Sequence, residues 1–228
     1  MKNKLYLLIK TVFDFCSALL ATVFFLIPWV VIAIIIKIQS PGPVVYKARR
    51  VGKDGKVFML YKFRSMCVDS GKVRMTTLRN DERIFPFGRF LRDSKLDETL
   101  QLINILKLQM SVIGPRPEDE YNAQQIYTER YKKILSVKPG LSSPASLYDY
   151  THGEAYETET EYLEEFLPKK LELELYYIEN RSVLYDIKTI FNTVYIVFLR
   201  MLGKEQFNLP REYAQIEQRV QNTADTNQ

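Results

Sequence analysis

Phe15-Cys16-Ser17-Ala18-Leu19-Leu20-Ala21-Thr22-Val23-Phe24-Phe25-Leu26-Ile27-Pro28-Trp29-Val30-Val31-Ile32-Ala33-Ile34-Ile35-Ile36 is the one long apolar run of this 228-residue chain, 22 residues without a charge. As a helix rising ~1.5 Å per residue it is about 33 Å long, the thickness of a bilayer's hydrocarbon core. It is too long for the apolar core of a cleavable signal and ends in Lys37 rather than at a small-residue cleavage site. Lys2, Lys4 and Lys10 precede it, and Lys37, Lys47, Arg49, Arg50, Lys53 and Lys56 follow it, so both flanks favour the cytoplasmic side. Pro28 removes an intrahelical hydrogen bond just past the middle. A helix that enters a membrane, bends at Ile27-Pro28 and leaves on the same face satisfies both flanks. A kinked single-pass anchor is the competing reading, and the frequency of spanning helices favours it.

Working outward, composition excludes several classes. The chain is 46% hydrophobic and 26% charged, close to a globular average, which argues against wholesale disorder and against a polytopic membrane protein. Two cysteines, Cys16 and Cys67, cannot staple a secreted scaffold or build a Cys-rich zinc site. The single His152 excludes a multi-histidine metal centre within one chain. The net charge of +5 is uneven: residues 1–64 carry 11 Lys+Arg against Asp14 and Asp54, and the rest carries 21 against 25. These cations bracket an apolar segment and form no extended stripe, so nucleic acid is a poor partner.

Ser40-Pro41-Gly42-Pro43 stops the helix. Strand-like runs over 44–51 and 56–63 flank Lys53-Asp54-Gly55 and predict a β-hairpin. Its second strand ends in Lys62-Phe63-Arg64-Ser65-Met66, either an amphipathic strand with solvated charges or a cationic rim for an anion near a membrane surface. Residues 69–83 read as a mobile loop. A helical period then runs through Phe90, Leu91, Leu96, Leu100, Ile103 and Leu106, with Ser94 in position to start a helix whose first turn holds Asp97 and Glu98.

Acids in a first turn complement its free N–H groups and need no further purpose. The same geometry also places a carboxylate where phosphates bind, with Arg89 and Arg92 just upstream to hold their oxygens. Adjacent helical residues diverge by about 100°, so Asp97 and Glu98 cannot face each other as a glycosidase pair and must have different jobs. Gly114-Pro115-Arg116-Pro117 is a helix stop, but an arginine between two prolines is also held rigidly enough to offer its fork to a phosphate. Beyond it a helix is expected over 119–135, a loop over 138–144, a charged helical stretch over 154–180 broken near Pro168, and an amphipathic helix over 183–202 suited to the core or to a bilayer surface. The segment 221–228 reads as a disordered tail.

In this order the motifs resemble the bacterial sugar transferases, the monotopic polyprenyl-phosphate phosphoglycosyl transferases. The resemblance runs from about Leu5 to Leu202, through the Pro-containing apolar segment, Ser40-Pro41-Gly42-Pro43, Lys62-Phe63-Arg64-Ser65-Met66, Leu96-Asp97-Glu98-Thr99-Leu100-Gln101-Leu102, Gly114-Pro115-Arg116-Pro117, Lys138-Pro139-Gly140 and Leu173-Glu174-Leu175-Tyr176-Tyr177. Each motif alone is weak, and the ordered set is specific.

The resemblance implies a mainly α fold with a small β-hairpin (α+β): a re-entrant membrane helix over 1–39 bent at Pro28, one cytoplasmic catalytic domain over 40–205 with interfacial amphipathic helices, and a polar tail over 206–228. It implies docking on the cytoplasmic face of a bacterial inner membrane. The implied activity moves a phospho-sugar from a nucleotide diphosphate sugar, usually UDP-linked, to a polyprenol phosphate acceptor. The reaction uses Mg²⁺ and a covalent intermediate, opening capsule, O-antigen or glycoconjugate assembly. By motif, Asp97 is the nucleophile that expels UMP, and Glu98 is its partner in orientation, proton handling or metal binding. Arg92 and Arg116 hold phosphate oxygens, and Lys62 and Arg64 form the cationic strand end. Membrane lipids and a second copy of the chain in a homodimer are admitted as partners, nucleic acid is not.

The chain departs from the family at Ile27, where a serine often precedes the proline, and over Leu141–Tyr150, where many members read Thr-Gly-Trp-Ala-Gln. It also lacks the additional spanning helices of larger members and reads as the minimal catalytic form. The alternative from another class is a catalytically silent membrane-surface scaffold, which has no need of Asp97-Glu98 beside Arg92 and Arg116.

Overall fold

The computed structural model describes residues 2–68, 82–153 and 159–217. The expected loop over 69–83, save its last two residues, and the expected tail over 221–228 lie outside them. Among the described residues the fold is mostly helical, with one antiparallel strand pair and one long apolar N-terminal helix.

α1 (Lys2–Gln39) is a continuous helix of 38 residues, about 57 Å of rise, and it runs through Pro28. By length and composition it could cross a membrane. Most of its apolar side chains face outward, among them Leu20 at 73%, Phe24 at 74% and Ile27 at 77% exposure. Its inner stripe is narrow. Ala18 packs on Phe58, Leu60, Leu102 and Ile105, and Ile32 and Ile36 pack on Phe63, Leu91 and Leu100.

The hairpin forms where Asp-Gly predicts it: β1 (Val45–Val51) pairs with β2 (Val57–Phe63) in the register Val45 to Phe63 and Val51 to Val57. Its turn places Asp54 at φ 57 and Gly55 at φ 74, the left-handed region that glycine enters freely and aspartate tolerates. Asn104, fully buried, closes the hairpin against the body of the protein. It accepts the Tyr61 N–H at 3.1 Å and donates to the Met59 carbonyl at 2.8 Å.

α2 (Pro86–Asp93) leads to a 3-10 turn over Leu96–Gln101 and then to the short α3 (Leu102–Leu106). The expected role of Ser94 is corrected here. Ser94 closes α2, giving its hydroxyl to the Phe90 and Leu91 carbonyls, and the following turn starts at Lys95 in the left-handed conformation. A serine at the end of one helix satisfies that helix's free carbonyls and cannot also cap the next.

The helix expected over 119–135 divides into α4 (Glu120–Ile126), capped by Asp119, and a 3-10 turn over Tyr131–Ser136. The loop expected over 138–144 contains a strand instead. β4 (Gly140–Ser142) pairs in parallel with β3 (Ser111–Ile113). Gly114 and Gly140 let these backbones touch, since a Cβ on Gly140 would lie 2.1 Å from the Gly114 nitrogen. α5 (Pro144–His152) starts on the Ser143 cap. α6 (Glu159–Glu161) passes through one wide π turn over Tyr162–Phe166 into α7 (Leu167–Asn180), so the break expected near Pro168 is only a change of helical pitch just before the proline.

α8 (Val183–Met201) is the expected amphipathic helix with its polarity reversed for a water-facing surface. Asp186 and Thr189 are buried, whereas Leu184, Phe191, Val194, Tyr195, Phe198 and Met201 are 52% to 70% exposed. Leaving that much apolar surface in water costs about 25 cal/mol per Å², which marks this face as an interaction surface.

Candidate active site

Four elements meet at the Asp97-Glu98 turn. The end of β2 supplies Lys62, the end of α2 supplies Arg92, the turn itself supplies Lys95, Asp97, Glu98 and Gln101, and the Gly114-Pro115-Arg116-Pro117 segment supplies Arg116. Both acids are buried, Asp97 at 3% and Glu98 at 6% exposure.

Glu98 is fully engaged. Arg116 donates Nη2 to Oε1 at 2.9 Å and Nη1 to Oε2 at 3.2 Å, Gln101 donates to Oε2 at 3.2 Å, and the Lys95 ammonium lies 3.8 Å from Oε1. Burial alone would raise this carboxyl, but Arg116 and Lys95 hold it well below the usual carboxylate range. Glu98 in turn raises the Arg116 guanidinium further.

Asp97 is the opposite case. Its Oδ1 is buried with no hydrogen-bond partner. Burial, and then the neighbouring Glu98 charge, push its carboxyl above the usual range, while the fields of Lys62, Lys95 and Arg92 pull the other way. Lys62, stacked 5.4 Å from the Tyr46 ring centroid, is lowered to about 8, chiefly by burial. Buried polar atoms in folded proteins are normally satisfied. The Asp97 Oδ1 is an exception, an unsatisfied carboxylate oxygen in the field of three cations.

The backbone of Arg116 is fixed from three sides. Pro115 gives its carbonyl to Gly140 N at 2.8 Å, Gly114 N reaches the Ser142 carbonyl at 3.0 Å, and Arg116 N donates to Glu174 Oε1 at 2.9 Å. Glu174 also accepts from Ser143 Oγ at 3.0 Å, while its Oε2 has no partner, and burial pushes its carboxyl up to about 7. Lys170, buried at 4% exposure, lies 3.3 Å from Glu118 and 3.2 Å from Asp149. Those two acids raise its ammonium well above the ordinary value against the pull of burial.

Of the residues expected from sequence, the structure brings Lys62, Arg92, Asp97, Glu98 and Arg116 together. Arg64 is the exception. Its guanidinium is buried and donates to Ser40 Oγ, the Ser40 carbonyl and the Pro41 carbonyl, so it clamps the Ser40-Pro41 turn instead of lining the anion side. Arg89 is exposed on α2.

Sequence reading missed four contributors. Lys95 and Gln101 adjoin the acidic pair and could have been found by proximity, and Glu174 sits inside a motif already quoted. Tyr150 ends the departing stretch Leu141–Tyr150 but is not singled out within it by sequence: its ring lies between Lys95 at 4.3 Å and Arg200 at 4.7 Å, and its hydroxyl donates to the Asp93 carbonyl.

Among the described residues no group of three or more His, Cys, Asp and Glu side chains forms a ready-made metal cage. One or two carboxylates completed by substrate phosphates are the usual magnesium arrangement. The free Oδ1 of Asp97 beside Glu98 fits it.

The site is thus a buried acid pair under an arginine fork, in a fold whose outer helices are apolar. The chain belongs to the bacterial sugar transferase family, whose model matches residues 5–200. It is 39% identical over 171 residues to an Escherichia coli (strain K12) UDP-glucose:undecaprenyl-phosphate glucose-1-phosphate transferase, covering 74% of this chain and 35% of the relative. It is 34% identical over 197 residues to an Aeromonas hydrophila UDP-N-acetylgalactosamine-undecaprenyl-phosphate N-acetylgalactosaminephosphotransferase, covering 84% and 44%. It is 35% identical over 196 residues to the exopolysaccharide production protein PSS of Rhizobium leguminosarum bv. phaseoli, covering 82% and 94%. The chain thus spans less than half the length of the first two relatives and nearly all of the third.

Proposed function

We propose that this protein is a membrane-associated phosphoglycosyl transferase that moves a sugar 1-phosphate from a UDP-sugar to a polyprenol phosphate. The observation that carries the reading is the buried, unpartnered Oδ1 of Asp97 beside Lys62, Lys95 and Arg92. The family and the activities of the first two relatives support it.

In the first half of the reaction the Asp97 carboxylate forms a bond to the donor's β-phosphorus. The diphosphate P–O bond breaks, its electron pair leaves with UMP, and an aspartyl phosphosugar remains. In the second half a phosphate oxygen of the acceptor attacks the same phosphorus. The acyl phosphate bond breaks, returning the Asp97 carboxylate and releasing a polyprenyl diphosphate sugar. Lys62 and Arg92 hold phosphate oxygens and offset the repulsion between an anionic nucleophile and an anionic donor. Arg116, oriented by Glu98 and by the Glu174 contact to its backbone, presents to a phosphate the N–H groups that Glu98 leaves free. Asp97 and Glu98 would hold Mg²⁺ together with the donor's phosphates, and the ion would supply charge neutralisation for the leaving nucleotide.

We place α1 in the membrane as a re-entrant helix on the cytoplasmic side. Support comes from contacts of both its halves with the same globular body. Tyr6 and Lys10 donate to Asp186 at 2.9 Å each, and Asp14 accepts from Val112 N at 3.2 Å. Trp29 donates to Thr99 at 2.9 Å, and Gln39 accepts from Phe87 N at 3.0 Å. A spanning helix would carry one of these sets to the far side of the bilayer.

The test is nucleotide release by detergent-purified protein given a panel of UDP-sugars, Mg²⁺ and polyprenol phosphate. UMP is the expected product. UDP would mean cleavage on the sugar side of the oxygen and would overturn the aspartyl step.

A further inference from the structure

Behind Glu98 and Arg116 lies a cleft of about 230 Å³ between β3, β4, α5 and α8. Its walls are mostly apolar, formed by Val112, Leu141, Leu147, Ile190, Val194 and Val197, with the hydroxyl residues Thr99, Ser142, Ser146, Tyr150 and Thr193 between them. Its charged groups, Lys95, Glu98 and Arg116, form one ion-paired cluster. Val194 is 63% exposed and continues onto the open apolar face of α8. Asp97 does not line the cleft, while its neighbour Glu98 does.

A ligand suited to this shape has a single apolar chain entering beside Val194 and an anionic terminus meeting Lys95 and Arg116. A nucleotide sugar is a poorer match, because the hydroxyls of the cleft are already engaged, Ser142 with Thr193, Ser146 with Ser143, Thr99 with Trp29 and the Leu96 carbonyl, and Tyr150 with the Asp93 carbonyl, and offer few partners to its hydroxyl and uracil groups. A phosphodiester lipid carries one negative charge and two chains. A polyprenyl phosphate carries a terminal monoester on one branched chain, which matches two cations at the end of one apolar cleft.

We propose that this cleft seats the first isoprene units of the polyprenyl phosphate acceptor, with its phosphate at the Lys95–Arg116 end. The assignment rests on the transfer reaction proposed above and adds the side of approach. The acceptor comes in on the Glu98 side, and the donor's phosphates lie on the Asp97 side with Lys62 and Arg92. Successive residues of one 3-10 turn thereby serve two substrates from different directions.

The experiment has two arms. Val194→Trp narrows the mouth at an exposed position, and the acceptor KM is expected to rise about tenfold, the lower end of what misfit in an apolar pocket costs. An unchanged acceptor KM overturns the assignment. The second arm uses the unmodified chain, so it stands even if the variant folds poorly. A polyprenyl phosphate with a photoreactive group in its first isoprene unit is irradiated with the protein in nanodiscs. Crosslinks are expected in peptides of α5 or α8. Crosslinks confined to α1, or equal labelling of the cleft by a photoreactive phosphatidic acid, overturn the assignment. If the unmodified protein releases UMP and either arm fails, the cleft assignment alone falls. If it releases no UMP from any donor, the transfer reading falls and the acceptor assignment with it.

Discussion

Arg116 grips Glu98 fork to fork, Nη2 to Oε1 at 2.9 Å and Nη1 to Oε2 at 3.2 Å, while the adjacent Asp97 keeps one carboxylate oxygen free. The two acids of one turn are therefore in different electrical states before any substrate arrives. Glu98 is a committed anion, and Asp97 waits for a partner. Arg116→Lys keeps the charge but cannot reproduce two parallel N–H bonds. Nucleotide release by this variant is expected to fall by about 10- to 100-fold, the worth of a charge-assisted bidentate contact. Turnover equal to the unsubstituted protein would show that the fork is dispensable.

Asp97→Asn separates chemistry from stability. Turnover is expected to vanish, because an amide cannot form the aspartyl phosphosugar. Thermal stability is expected to hold or rise, because a buried carboxylate without a full set of partners is removed. Calorimetry beside the nucleotide-release assay checks both halves. A variant that loses stability together with activity would point to a structural role for the carboxylate.

The parts of the fold that were legible in sequence are those set by local chemistry. Asp54-Gly55 announces the hairpin turn because few other pairs accept positive φ there, and the apolar run of α1 announces itself by length. The acidic pair was found through its neighbours in sequence. What escaped reading depends on partners far along the chain. Ser111–Ile113 and Gly140–Ser142 are three residues each, too short to show a period, and become strands only by meeting one another. Ser94 matched a helix-start pattern but was claimed by the helix before it. Arg64 looked like part of a cationic rim, and only the folded Ser40-Pro41 turn shows where its guanidinium goes. Lys170 lies in the charged helical stretch expected over 154–180, and its burial between Glu118 and Asp149 is a tertiary fact.

That burial has a cost if half of it is removed. Lys170→Met leaves Glu118 and Asp149 facing one another without their shared cation. Loss of one partner from a buried ion pair costs about 3–5 kcal/mol. Chemical denaturation is expected to show a loss of that order. A change under 1 kcal/mol would mean that water reaches the pair, which roughly matches a surface bridge.

Glu174 gives a pH signature of definite sign. Its carboxyl lies at about 7 in the folded protein against an ordinary 4.5, raised by burial. Between those values the folded state binds more protons than the unfolded one, so this group's contribution to stability falls as pH rises from 4.5 to 7 and is level above. Glu174→Gln has no such titration. The variant is expected to gain on the unsubstituted protein across that window, by at most about 3 kcal/mol at pH 8. The gain is limited by an amide N–H₂ placed where Oε2 now has no partner. A stability difference that is constant from pH 4.5 to 8 would show that the carboxyl titrates normally.

The topology of α1 can be decided with a reference that the chain already carries. Cys67 is exposed on the globular body just past β2. In a Cys16→Ser background, Lys2→Cys adds a second thiol at the start of α1. If Tyr6 and Lys10 hold the N-terminal half of the helix to Asp186, both thiols lie on one side of the membrane. An impermeant thiol reagent applied to inverted vesicles is then expected to label both, and applied to right-side-out vesicles to label neither. Labelling of Cys67 from one side and of the residue-2 thiol from the other would establish a spanning helix. The hydrogen bonds of Tyr6 and Lys10 with Asp186 could not then exist in the membrane, because one donor set and its acceptor would be separated by about 30 Å of hydrocarbon.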